Sequence, residues 1–167
     1  AVALTGRSGE ALEEYKKLML KLNNEVVAAA PEDLLINTHV CRGNYHSTFF
    51  SSGAYDSVAD LLFGEENVNA YYLEYDDERS GGFAPLAKVS GDKKVVLGLV
   101  TTKTPALENK ELVINRIHEA AKYVPLDRLY LSPQCGFASC AIGNKLTEEE
   151  QWAKLKLVKE IAEEVRG

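Results

Sequence analysis

Apolar positions recur along this chain in two rhythms, one of helical period and one of short continuous runs. From Ser8 to Ala30, Leu12, Tyr15, Leu18, Met19, Leu22 and Val26 return every three or four positions. That spacing predicts an amphipathic helix, which Pro31 ends. Leu34 to Thr38 follows as a short apolar run and reads as a buried strand. Helical spacing returns over Tyr55 to Phe63 through Tyr55, Val58, Ala59 and Leu62, with Gly64 placed to cap it. Ala70 to Leu73 reads as a second strand, and Val95 to Val100 as a third, apolar throughout. Asn109 to Val124 is expected as a helix with Leu112, Val113, Ile117 and Ala121 inward, and Leu129 to Leu131 as a fourth strand. The last helix opens on Thr147 and Glu150, spaced as a capping box, with Trp152, Leu155, Val158, Ala162 and Val165 expected inward.

Apolar strands alternating with helices imply an α/β fold, four parallel strands with flanking helices. Four such units make either a small open sheet or half of a (β/α)8 TIM-type barrel, which typically takes about 250 residues. The chain opens on a helix, as if taken from the middle of a βα series. The expectation is therefore one domain over 1–167, the C-terminal half of a barrel with the N-terminal half absent.

Composition narrows the function. Hydrophobic residues make up 46% of the 167, and no run is long or apolar enough for a membrane span. Ala1 to Arg7 lacks a basic start followed by an apolar run, so no leader is read there. Lys plus Arg number 19 against 25 Asp plus Glu, a net charge of −6, with the signs interspersed. Nucleic acid binding needs clustered cations and is not expected. An odd count of 3 Cys in a chain of this size argues for a reducing compartment, the cytoplasm, and against a disulfide framework.

Candidate chemistry gathers at the strand ends. His39 and Cys41 lie just past the first strand, Glu74 ends the second, and Cys135 follows the fourth. In a parallel α/β fold those ends share one face, where sites are built. His39 and Cys41 are two apart, so extended backbone points both to one side. Imidazole, thiolate and carboxylate together suit zinc better than magnesium or calcium. Two thiolates and a carboxylate outweigh the charge of zinc, which disfavours water activation and favours a thiol substrate held deprotonated and nucleophilic. Each residue also has an ordinary reading, as a loop histidine, a small core thiol or a salt-bridging acid.

The segments Ile36 to Cys41, Tyr72 to Asp76 and Leu131 to Phe137 carry a resemblance. The chain resembles the C-terminal catalytic domain of cobalamin-independent methionine synthase. It is still more similar to the shorter bacterial members of that superfamily, often named methionine synthase II, through Cys41 to Asn44, Leu97 to Thr104 and Ser132 to Ser139. The resemblance implies a (β/α)8 barrel with zinc held by His39, Cys41, Glu74 and Cys135. It implies methyl transfer from a methyltetrahydropteroyltriglutamate to homocysteine, giving methionine, so the expected partners are a homocysteine-like thiol and a methyl donor. Thr101-Thr102-Lys103-Thr104 stands where full methionine synthases carry a Tyr-Asp-Ile-His stretch, which leaves a corrinoid or another methyl donor as an alternative. A further alternative is an inactive fragment that self-associates as a homo-oligomer, because a half barrel exposes two strand edges and an apolar face.

Other polar residues take lesser roles. Lys103 reads either as a contact to an anionic substrate or as a solvated loop residue. Cys140 reads as a buried thiol, and His46 and His118 as solvated. One of Asp76, Asp77, Glu78 and Arg79 is a candidate to orient a zinc ligand.

Overall fold

The computed structural model describes residues 5–167; residues 1–4, part of the segment read above for a leader, lie outside the described residues. Helix α1 (Gly9–Ala28) is followed by strand β1 (Asn37–Val40), helix α2 (Ala59–Glu65) and strand β2 (Ala70–Glu74). Strand β3 (Lys94–Val100), helix α3 (Lys110–Ala120), strand β4 (Leu129–Pro133) and helix α4 (Glu148–Arg166) complete the order. The strands form one 4-stranded sheet in the order β1-β2-β3-β4, every pair parallel. Sequential parallel order with right-handed crossovers puts the helices on a single face, as in one half of a barrel.

Strand alternation divides the residues between the two faces. Tyr71 and Leu73 of β2 and Val95, Leu97 and Leu99 of β3 are buried and pack with Val113, Ile117 and Ile161 from the helices. The opposite face carries His39 opposite Tyr72, and Glu74 opposite Gly98. Tyr72 there is 40% exposed.

Local chemistry explains the helix starts. The Asn109 side chain accepts from the Leu112 N–H at α3, and Thr147 and Glu150 make the expected reciprocal capping box at α4. Other expectations shift. The strand begins at Asn37, later than expected, and Leu34 and Leu35 lie exposed before it. Gly64 sits inside α2 instead of capping it. On α3 the buried positions are Val113, Ile117 and Ala120, while Leu112 points to solvent. On α4 they are Lys154, Leu157 and Ile161, and Trp152 is exposed with its indole N–H on Glu148. Leu157 and Ile161 set the buried face of α4, and Lys154 lies on it with its charge partnered: its ammonium reaches the Ala106 carbonyl at 2.7 Å and the Glu108 carboxylate at 3.1 Å. Glu108 in turn accepts from the Thr101 N–H at 2.8 Å, so α4 anchors the loop that follows β3.

Helix α1 has no fully buried residue. Lys16 donates to the Ser57 carbonyl and Asn24 to that of Glu65, while Leu18, Leu22 and Val26 stay exposed. Among the described residues, no helix is long and apolar enough to cross a membrane.

A file of buried aromatic rings, Tyr71, Phe63, Tyr55, Tyr75 and Phe83, links α2 to the strand ends with centroids 4.6 to 5.7 Å apart. Burial pushes the Tyr55 phenol up to about 12 and raises Tyr71 and Tyr75 further. An unfolded chain loses these protons near pH 10 while the folded chain keeps them, so this part of the stability is complete below about pH 10 and is lost as pH rises towards 12. Thermal midpoints should fall between about pH 10 and about pH 11, and less steeply in Tyr55→Phe. A midpoint that stays level over that range would contradict the burial of these phenols.

Candidate metal centre

Glu74 closes β2 with a side chain that is fully buried. Its Oε1 accepts the Arg42 backbone N–H at 3.0 Å and the Cys135 thiol at 2.7 Å, and its Oε2 accepts the Gln134 side-chain amide at 3.1 Å. Its own backbone is held as firmly. The Tyr55 hydroxyl accepts the Glu74 N–H at 2.8 Å and donates to the Glu74 carbonyl, which also takes the Arg42 guanidinium at 3.1 Å. Arg42 lies over the Tyr55 ring, 4.3 Å from its centroid. These partners come from the loops after β1 and β4, so one carboxylate joins three segments.

His39, on β1, has Nδ1 3.1 Å from the Tyr72 carbonyl and Nε2 3.3 Å from the Cys135 sulfur. A proton on Nδ1 satisfies that carbonyl and leaves the Nε2 lone pair facing the thiols. Cys41 and Cys135 bring their sulfurs to 3.4 Å, and His39 Nε2 lies 3.7 Å from Glu74 Oε1. One donor atom from each of His39, Cys41, Glu74 and Cys135 lies within 4.8 Å of every other. A tetrahedron with metal–sulfur bonds of about 2.3 Å and metal–nitrogen bonds of about 2.0 Å has edges of roughly 3.3 to 3.8 Å. Three of the spacings fall within that overall range, with the two sulfurs closer and the nitrogen and oxygen farther apart than their own edges. The shorter sulfur–carboxylate contact is a thiol hydrogen bond. Burial first, then the hydrogen bond and charge of Glu74, push the Cys135 thiol well above its ordinary value. Two soft donors, an imidazole and a carboxylate with no lysine or arginine ion pair among the described residues suit a divalent cation.

Gly98 makes room for this arrangement. A Cβ there would lie 2.8 Å from the Leu73 carbonyl oxygen and 2.9 Å from the Gln134 Cα, both backbone atoms. The register of β3 with β4 shifts between Gly98 and Val100, which lets the Gln134–Cys135 segment cross the strand end.

The remaining sequence candidates take different places. Lys103 bonds to the loop after β1, at the Gly43 carbonyl and the Asn44 side chain. Cys140 is exposed, because the segment after Cys135 runs over the surface. His118 is exposed as expected, whereas His46 is half-buried. Asp76 is buried beside Arg79, and Asp77 caps the turn at Glu78–Ser80. Glu74 is oriented instead by Arg42, Gln134 and Tyr55, polar residues in no periodic pattern. The one sequence signal for Arg42 and Gln134 is that each adjoins a candidate cysteine, and Tyr55 has none of that kind.

Residues 13–164 match the family described as cobalamin-independent synthase, catalytic domain. The chain belongs to that family. Among curated relatives, protein YxjG of Bacillus subtilis is 52% identical over 158 residues, covering 94% of this chain and 42% of that protein. The 5-methyltetrahydropteroyltriglutamate–homocysteine methyltransferase of Bacillus licheniformis is 25% identical over 157 residues, 93% of this chain and 18% of the relative. The solved structure of a candidate vitamin-B12-independent methionine synthase from Listeria monocytogenes superposes with a TM-score of 0.73 at 40% identity. That match covers 97% of this chain and 43% of the Listeria chain. The chain thus spans less than half the length of each of these relatives, and its four strands are those of a barrel half.

Gly98→Ala tests how the cysteine segment is seated. It should cost about 1–3 kcal/mol in denaturant unfolding, the usual range for overpacking. Gly82→Ala, where nothing lies within 4 Å, is the control. Equal stability of Gly98→Ala and the parent would show that the close approach imposes no constraint.

Proposed function

We propose that this domain carries zinc-dependent methyl transfer to a thiol, with His39, Cys41, Glu74 and Cys135 as the zinc ligands. The observation that carries the proposal is the convergence of these four donors, from three separate strand ends, within 4.8 Å. Zinc bound there would hold a thiol substrate as its thiolate while leaving the sulfur nucleophilic. The chain's own groups set the stage. The Tyr72 carbonyl orients His39, while the Arg42 N–H and Gln134 amide orient Glu74. A cavity of about 290 Å³ opens beside the donors, lined in part by His39, Tyr72, Ser132 and Cys135, and has room for a small thiol.

Family membership and the named activity of the Bacillus licheniformis relative support homocysteine as the thiol and a methyltetrahydropteroyltriglutamate as the donor. In this reading the domain is the C-terminal part of a longer barrel. The half-exposed inner face at Tyr72 is covered either by the remaining strands or by a second copy of this chain. A cytoplasmic setting would keep Cys41 and Cys135 reduced. A second reading keeps the zinc thiolate and changes the methyl donor. It is favoured by Thr101 to Thr104, where Lys103 is engaged with the neighbouring loop.

Protein purified without chelator should contain about one zinc per chain by metal analysis, and Cys41→Ser and Cys135→Ser should each lose it. A zinc-free parent protein would falsify the proposal. The complete protein should turn over methyltetrahydropteroyltriglutamate and homocysteine. Turnover only with a different methyl donor would transfer the assignment to the second reading.

A further inference from the structure

Cys41 and Cys135 belong to loops after β1 and β4, the two edges of the sheet. Three strand spacings separate those edges, roughly 14 Å on a flat sheet, yet the sulfurs stand 3.4 Å apart. No ladder hydrogen bond joins the two edge strands, so curvature and loop contacts must hold the cysteines together. Lys103, from the loop after β3, donates to the Gly43 carbonyl at 3.0 Å and to Asn44 Oδ1 at 2.8 Å. Asn44 then donates from Nδ2 to the Gly136 carbonyl at 2.7 Å, and its own carbonyl accepts the Ser139 hydroxyl. Gly43 is two residues from Cys41, and Gly136 is next to Cys135. The Glu74 carboxylate, which takes both the Arg42 N–H and the Cys135 thiol, is one link between the two cysteine loops. Another therefore runs through the Asn44 amide, with the Lys103 ammonium holding that amide and the Gly43 carbonyl in place. Asn44 is only 9% exposed, so both ends of its side chain are used away from water.

We propose that Lys103 and Asn44 form a clamp that sets the spacing of Cys41 and Cys135, a positioning pair for the metal centre. This deepens the zinc reading above and rests on it. Lys103 is suited to the task because its own loop is anchored: Thr101 bonds Glu108, which pairs with the buried Lys154 of α4. An ammonium offers three rotatable donors, enough to grip a carbonyl and an amide oxygen at once. Asn44 alone among these residues supplies both an acceptor for Lys103 and a donor for the Cys135 loop. The clamp touches neither sulfur and acts only on where the sulfurs stand.

Two measurements on Lys103→Met, Asn44→Ala and Lys103→Arg test it. The first is the zinc dissociation constant by chelator competition. The two disrupting variants should weaken binding about tenfold or more, as loss of groups that orient ligands usually does. The double variant should be little worse than either single one, because both break one clamp. Lys103→Arg keeps a cation able to reach both oxygens and should stay near the parent.

The second measurement needs no metal. In zinc-free protein carrying Cys140→Ser, equilibration with glutathione disulfide forms a Cys41–Cys135 bond and reduces one glutathione disulfide to two glutathione thiols. The effective concentration of one thiol at the other should fall about tenfold in Lys103→Met and Asn44→Ala. Parent-like values in both measurements would overturn the clamp. So would equal losses in Lys103→Arg and Lys103→Met with lowered thermal midpoints, which would mark a purely structural role. If the parent held no zinc, the zinc reading would fail, and the exchange equilibrium would still decide the clamp.

Discussion

Glu74 ends a sheet strand with a carboxylate that has no contact with water, and much of the surrounding structure follows from keeping it there. An ionised carboxylate in such a place costs several kcal/mol unless hydrogen bonds and opposite charge offset it. The backbone N–H of Arg42 and the amide of Gln134 supply the hydrogen bonds. Tyr55 and the Arg42 guanidinium hold the backbone from which the side chain projects. Among the described residues, no lysine or arginine makes an ion pair with this carboxylate. His39, Cys41 and Cys135 surround the carboxylate with groups that bind metals and carry no fixed positive charge of their own.

The same constraint explains why the loops bend inward over the sheet. Gln134 can reach Glu74 only by crossing the end of β3, and Gly98 is the residue that permits the crossing. Cys135 then arrives beside Cys41 although their strands lie at opposite edges. The loop after β3 closes the arrangement through Lys103, and α4 holds that loop through Lys154 and Glu108. A metal bound among these donors would draw on contacts that run from the last helix to the first strand.

Much of this was legible in the residues themselves. The run Val95 to Val100 announced a strand buried on both faces, and Thr147 with Glu150 announced the start of α4. The candidate donors were legible because a parallel sheet gathers its strand ends on one side, which puts His39, Glu74 and Cys135 at the same end of the sheet. The curvature and loop contacts that close the remaining distance between its two edges carry no such signal. Facing was harder. Trp152 and Leu112 fit an inward stripe by hydropathy yet point outward, while Lys154 is buried because two oxygens wait for it. Hydropathy cannot report a buried lysine, since the reason for burial lies in its partners. Leu34 and Leu35 mislead similarly, as a continuous apolar run carries no register. Arg42, Asn44, Lys103 and Gln134 were silent as well. They act through loops, where no periodicity marks a role.

The relatives sharpen the chemistry without adding to the geometry. They place the chain in the cobalamin-independent synthase catalytic-domain family, and the span shared with the Bacillus subtilis and Listeria relatives, less than half of each, fits one half of a barrel. The central claim is that donors from both edges of a four-stranded sheet meet on one zinc ion. X-ray absorption at the zinc edge of the loaded protein tests it most directly. The account predicts two sulfur scatterers at about 2.3 Å and two nitrogen or oxygen scatterers at about 2.0–2.2 Å. A shell made only of nitrogen and oxygen would show that Cys41 and Cys135 do not bind the metal, and the account would be wrong.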